Sequence, residues 1–245
     1  MFQIDNDVCP SHNLLKSKNM KHKGIVVIGD VHGRDQWRKA VRKAKTSRIV
    51  FLGDYVDPYD SIEPDDLIEN LKAIITLKKE NPDRVVLLLG NHDMHYIYED
   101  FTKGSRYDKS LAEAVSQIFN ENRDLFQFAY QEGNTVITHA GISSDWFRED
   151  FKGDKTRDIA EQLNNPTPEQ LKAMFQAGRS RFGPFKNGGI FWADMSETAR
   201  HPLCGIHQVV GHSQVEHVSR IDINTETSIT FCDCLKNNEW LELRG

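Results

Sequence analysis

The sequence predicts an α/β fold with central β-sheets flanked by helices, and three features of the chain predict it. Short apolar runs without polar alternation take turns with helical patterns from Gly24 onward, the order expected of strands that pair in parallel. Five apolar runs are each followed by an Asp, Asn or His with a glycine next to it or, at His139, two residues on. A charged, helical stretch at about 145–189 is then followed by several short strand-like segments.

Residues 1–23 are polar, with Lys16, Lys18, Lys21 and Lys23 close together and no apolar period, so they read as an N-terminal arm. The next elements are a strand at Ile25–Ile28, a helix from about Asp35 to Lys45 and a strand at Ile49–Leu52. A second helix carries Pro64 early, Asp65 and Asp66 in its first turn, and Leu67, Leu71, Ile74 and Ile75 along one face. Those are the residue choices that a helix start and an amphipathic face demand, and Asn81-Pro82 ends it. Val85–Leu89 comes next as a third strand. The runs IVVI, IVFL and VVLLL are apolar at every position, so both faces of their sheet are expected to be covered.

Between residues 145 and 189, Pro166 and Pro168 separate two candidate helices and the segment RSRFGPFKNGG closes the stretch; it reads as a helical insertion. Strands are expected at His207–Val210, Val215–Ile223, Ser228–Cys232 and Trp240–Leu243, separated by turn pairs such as Asn224-Thr225 and Asn237-Asn238. Residues 24–245 then make one domain with one catalytic unit, a size that supports a single core.

Composition narrows the function. With 36 acidic and 31 basic residues the net charge is −5, which gives no general electrostatic attraction for nucleic acid. No apolar stretch approaches the roughly 20 residues of a membrane span, and the start lacks the charged-then-apolar order of a secretory signal. Neither nucleic acid nor a membrane is an expected partner, and a cytoplasmic location is. Four cysteines are too few for a disulfide framework. Cys232 and Cys234 lie in an apolar alternating stretch with no second pair, so packed thiols are expected rather than a zinc site.

The chemistry lies directly after the apolar runs, in Gly29-Asp30-Val31-His32-Gly33, Gly53-Asp54-Tyr55-Val56-Asp57, Gly90-Asn91-His92-Asp93, Thr138-His139-Ala140-Gly141 and Gly211-His212-Ser213. Taken singly, an Asp or His after a strand is a turn or helix cap. Five in order are not explained that way, because loops at the carboxyl ends of strands converge on one crevice. Asp30, His32, Asp54, Asn91, His139 and His212 mix carboxylate, amide and imidazole, a donor set suited to Mn²⁺, Fe²⁺ or Zn²⁺. Six donors are too many for one catalytic ion with an open position. Two ions about 3.5–4 Å apart that share a carboxylate would use them all, clamp an in-line displacement and supply a hydroxide near neutral pH.

The signature GDxHG, GDxxD, GNHD, HAG, GH resembles the calcineurin-like metallophosphoesterases over roughly Gly24–Ser213, and within them the phosphoprotein phosphatase branch. The resemblance implies that family's layered sandwich of sheets and helices. It also implies Asp30, His32 and Asp54 on one ion, Asp54, Asn91, His139 and His212 on the other, and in-line attack by a bridging hydroxide. His92 would be the general acid and Asp57 would hold its imidazole. Apart from the family, a carboxylate-oriented His is a suitable proton donor to a leaving alkoxide. Gln214 stands two residues after His212 where nucleotidase-like relatives carry a second His, which favours the phosphatase branch. His201, His207 and His217 are expected to be structural.

One position departs from the pattern. In the phosphatases an Arg after the second Asp of GDxxD grips the phosphate, whereas here Pro58 follows Asp57 and offers no donor. Arg106, Arg179, Arg181 and Arg200 are the candidate replacements, with Arg181 preferred on the RSRFG segment and Arg200 on its place after Trp192-Ala193-Asp194. The expected substrate is a phosphoprotein of the Ser/Thr type. HAGI with Trp146, and the GNHDMH run, resemble symmetrical dinucleoside polyphosphate hydrolases as the alternative. A remote third reading, a metal-binding scaffold without catalysis, would lack a bridging ligand or an acid.

Overall fold

The computed structural model describes residues 23–98, 101 and 103–244. The expected arm at 1–23 lies outside these but for its last residue. Along the chain run β1 (Gly24–Ile28), α1 (Trp37–Ala44), β2 (Arg48–Phe51), α2 (Pro64–Glu80), β3 (Val85–Leu88), α3 (Asn91–Ile97), α4 (Ala112–Glu121), β4 (Phe126–Gln127), β5 (Ala129–Glu132) and β6 (Thr135–Thr138). Next come α5 (Ile159–Asn164), α6 (Pro168–Met174), α7 (Met195–Arg200), β7 (His207–Gln214), β8 (Ser219–Asn224), β9 (Thr227–Asp233) and β10 (Leu241–Arg244). The fold is mixed α/β with two sheets flanked by helices, as the sequence predicts. The chain divides into two compact units, one formed by the described residues up to Gln127 together with the segment from Asp233, the other by residues 128–232.

The first unit carries the sheet β10-β1-β2-β3-β4. Strands β1, β2, β3 and β4 pair in parallel, and β10 closes the edge antiparallel to β1 with Gly24 opposite Arg244. All of β1 and β3 is buried, which accounts for their lack of polar alternation. Helix α2 opens with Pro64 and the acidic pair Asp65 and Asp66, and ends on Lys78 and Lys79, so each end complements the helix dipole. It buries Leu67, Leu71, Ile74 and Ile75, each worth roughly 1.5–3 kcal/mol of apolar burial. Asn81 stops it by turning its N–H and side-chain amide back to the Leu77 carbonyl.

The second unit carries the sheet β5-β6-β7-β9-β8, in which β6 and β7 are parallel and β8 and β9 antiparallel. Strand β9 is buried throughout; Val210, Ile229 and Phe231 form a core against which Met195, Val215 and Ile221 pack. Cys232 and Cys234 are reduced, buried thiols, and burial pushes the Cys234 thiol up to about 12. The expected helical stretch contains α5 and α6. Thr167 and Gln170 cap α6 reciprocally, at 3.3 Å and 3.0 Å, with Pro168 in its first turn, the arrangement that satisfies the orphan donors of a helix start. Among the described residues no helix is long and apolar enough to cross a membrane.

Two expectations need correction. The strand expected at Val215–Ile223 begins only at Ser219, and His217 sits exposed in the bend before it rather than on a strand. The polar pair Glu216-His217 interrupts the apolar alternation there. Strand β7 runs past Val210 to Gln214, so His212 lies within a strand rather than beyond its end. Its φ of 60° kinks the strand at that residue.

Candidate functional site

In the first unit the loops after β1, β2 and β3 are tied together through their backbones. The His32 N–H donates to the Asp54 carbonyl at 2.6 Å and the Gly33 N–H to the Tyr55 carbonyl at 2.9 Å. Gly53 has φ +101°, and a Cβ there would come within 2.2 Å of the Gly90 nitrogen, so only glycine lets the second and third loops approach this closely. His32, Asp54 and Asp57 take φ of 45°, 51° and 58°, left-handed conformations that cost about 1–3 kcal/mol each outside glycine and persist where the surroundings impose them. Asp93 is the clamp. Its carboxylate, fully buried, accepts from the backbone N–H of Asp54 at 2.7 Å, of Tyr55 at 2.9 Å and of Gly90 at 2.8 Å.

These contacts converge Asp30, His32 and Asp54, whose donor atoms lie within 4.8 Å of one another. Nδ1 of His32 faces the Val56 carbonyl at 2.9 Å. That acceptor places the ring proton on Nδ1 and turns the Nε2 lone pair toward Asp54, 3.7 Å away, the orientation a metal-ligating histidine takes. Burial first, and His92 second, lower the His32 pKa to about 3, so its imidazole is neutral and ready to ligate. Burial raises the Asp54 carboxyl well above its ordinary range, and Asp30 and then Asp93 add to it. Facing buried carboxylates with a neutral imidazole beside them fit a divalent cation, which offsets the repulsion between the carboxylates. Asn91, 1% exposed, begins α3 beside them, and the His92 N–H donates to Asp54 Oδ1 at 2.9 Å.

The second unit supplies His139 and His212. His139 follows β6 and is fully buried, with its carbonyl accepting from the Gly211 N–H at 2.8 Å. The rings of His139 and His212 lie 5.1 Å apart, and Trp192 meets His212 edge-on at 5.8 Å.

Beside the carboxylate cluster of the first unit stands an acid–base pair. His92 Nδ1 lies 2.8 Å from Asp57 Oδ2, and the His92 and His32 rings are 5.1 Å apart. Two further residues hold Asp57. His95 Nε2 is 2.8 Å from Oδ2, and the Tyr96 hydroxyl donates to Oδ1 at 2.5 Å. Burial pushes the Asp57 carboxyl up, but the bonds from His92, His95 and Tyr96 outweigh it and hold the pKa below its usual value. Asp57 is therefore a charged, fixed anchor for the His92 ring. Sequence reasoning missed His95, Tyr96 and Asp93. Their signal lay in the spacing of Asn91-His92-Asp93-Met94-His95-Tyr96, since on a helix His92, His95 and Tyr96 share a face.

The candidate arginines are scattered. In the second unit, Arg181 Nε lies 2.8 Å from Asp194 Oδ2 and a terminal nitrogen donates to the Ser213 hydroxyl at 2.7 Å, next to His212. Arg200 ends α7, and Arg179 is exposed. Arg106 belongs to the first unit.

Solved structures share this fold. A cold-active protein-tyrosine phosphatase of a psychrophile, Shewanella sp., superposes with a TM-score of 0.54 at 19% identity, over 90% of this chain and 74% of that one. A protein serine/threonine phosphatase from Saccharomyces cerevisiae gives 0.50 at 18% identity, over 86% and 68%. The model of the calcineurin-like phosphoesterase family matches residues 24–221, close to the span on which the sequence resembles it. That match and the clustered carboxylates and imidazoles together call for two divalent metal ions. The chain belongs to the calcineurin-like phosphoesterase family and is a metal-dependent phosphoester hydrolase.

Proposed function

We propose that the chain is a phosphatase of the Ser/Thr protein phosphatase kind. Asp30, His32 and Asp54 hold one ion; Asp54, Asn91, His139 and His212 hold the other. When bound, the ions would supply the nucleophile and neutralise the phosphoryl charge; Mn²⁺ is the proposed metal, with Fe²⁺ and Zn²⁺ the others that this mixed donor set admits. His92 delivers a proton to the leaving oxygen from Nε2, because Asp57 occupies Nδ1. Arg181 and Arg200 are the proposed phosphate contacts from the second unit. The cysteine-poor composition suits a cytoplasmic setting.

The observation that carries this reading is the Asp57–His92 pair at 2.8 Å next to Asp30, His32 and Asp54. A metal-binding scaffold needs no oriented proton donor beside its ligands, whereas a hydrolase acting on an alkyl phosphate does. The dinucleoside polyphosphate alternative loses one of its supports, since Trp146 is fully buried, donates from Nε1 to the Ala173 carbonyl at 3.0 Å and stacks on Phe151. It is a core residue and offers no face to a nucleobase.

The test offers the Mn²⁺-loaded protein phosphoserine, phosphothreonine and phosphotyrosine peptides, diadenosine tetraphosphate, nucleotides and an aryl phosphate side by side. Preferred turnover of phosphoserine or phosphothreonine peptides supports the proposal. Preference for diadenosine tetraphosphate would assign the alternative instead, and no hydrolysis of any substrate would return the scaffold reading.

A further inference from the structure

Pro58 follows Asp57 and offers no donor of its own, and the structure brings a guanidinium to its carbonyl from 48 residues further along the chain. Arg106 donates from a terminal nitrogen to the Pro58 carbonyl at 3.2 Å. Its guanidinium lies 4.3 Å above the centre of the Tyr59 ring. Tyr59 in turn sets its ring edge-on to His32 at 4.9 Å, and 6.3 Å from His92. One aromatic ring thus separates the guanidinium from both a proposed metal ligand and the proposed acid. Among the described residues the rest of its fork makes no hydrogen bond, and the residue is exposed.

The loop that carries Arg106 is fastened to the residues that hold Asp57. The Gly104 N–H donates to His95 Nδ1 at 3.2 Å, and the Lys103 ammonium to the His95 carbonyl at 2.7 Å. The Asp108 N–H donates to the Tyr96 hydroxyl at 3.0 Å, and Tyr107 packs its ring at 4.9 Å on His95 and 5.0 Å on Tyr96. Arg106 itself sits in a turn with φ 68°, a left-handed conformation uncommon outside glycine. A cavity of 370 Å³ is lined by Asp57, Pro58 and Arg106 together.

We propose that Arg106 is a substrate-binding residue whose guanidinium takes the phosphoryl group of the phosphomonoester, replacing the donor that Pro58 cannot provide. This deepens the phosphatase reading and rests on it. A phosphate dianion is best met by a planar fork of N–H donors, and stacking on Tyr59 holds that fork in place with its outer edge unspent.

The test compares Arg106→Ala and Arg106→Lys with the wild type in the full, Mn²⁺-loaded chain. Inorganic phosphate serves both as a product inhibitor and as a titrant in calorimetry. Loss of a bidentate charged contact should weaken phosphate binding and kcat/KM by about 10- to 100-fold in Arg106→Ala, and by less in Arg106→Lys. The melting temperature should stay unchanged, because the side chain is exposed. Phosphate affinity equal to wild type in Arg106→Ala would overturn the proposal. Calorimetry separates this from the parent reading. A protein that binds phosphate through Arg106 but hydrolyses no phosphomonoester retains the site and loses the activity assignment.

Discussion

Replacing Tyr96 by Phe tests whether the bonds around Asp57 tune the acid as well as support the fold. The change removes one hydroxyl from a buried carboxylate that it meets at 2.5 Å, and leaves the His92 and His95 contacts at 2.8 Å each. A hydrogen bond to a charged, buried acceptor contributes about 1.5–3 kcal/mol, so the melting temperature should fall by roughly 3–10 °C. The same loss removes one of the bonds that hold the Asp57 carboxyl below its usual range, so Asp57 becomes more basic, bonds the ring at Nδ1 more strongly and leaves Nε2 a weaker proton donor. Only part of that reaches the leaving oxygen, so turnover of alkyl phosphates should slow roughly 3- to 30-fold. An aryl phosphate whose leaving group needs no proton should be little affected. The assay is kcat/KM against leaving-group pKa for wild type and Tyr96→Phe at matched metal content. An unchanged slope, with both substrate classes slowed equally, would refute the link from Tyr96 through Asp57 to His92.

Two other outcomes are expected. His92→Asn should retain its metal, while activity on poor leaving groups drops about 10²- to 10⁴-fold and activity on activated aryl phosphates far less; equal losses on both would remove His92 from the acid role. Metal binding should strengthen with pH. The Asp54 carboxyl is raised well above its ordinary range and Asp93 is raised to about 7, in each case chiefly by burial. In the metal-free fold both therefore retain protons that the unfolded chain has already lost, and its stability falls as pH rises through that window. An ion must displace the Asp54 proton, whereas His32, lowered to about 3, is already neutral. Added Mn²⁺ should thus raise the melting temperature more near pH 8 than near about pH 5.5; an equal rise at both would contradict the ligand assignment.

Strands β1, β2 and β3 were legible because they are covered on both faces, so nearly every position is apolar and each run stands out from its surroundings. The edge strand β10 was legible as a strand, but its antiparallel pairing with β1 was not, since that partner lies more than 200 residues away and no local pattern records it. Helix α3 escaped notice because its residues are mostly polar and functional. His92, Asp93, His95 and Tyr96 are buried against one another and against loops, which leaves no apolar stripe of helical period to find. With the helix unread, two of the three residues holding Asp57 stayed hidden. The metal-ligand types could be read from the loops, whereas the left-handed φ of His32, Asp54, Asp57 and His212 could not, because tertiary contacts impose it.

Hydrolysis of phosphoesters by this chain is proposed to require metal held by Asp30, His32, Asp54, Asn91, His139 and His212. Turnover of an aryl phosphate, measured against metal bound per chain in wild type and Asp54→Asn, tests it most directly. Wild-type turnover should rise with Mn²⁺ to about two equivalents, and Asp54→Asn should lose both the metal and nearly all turnover. Full hydrolysis by metal-stripped protein would show that the reaction needs no bound ion.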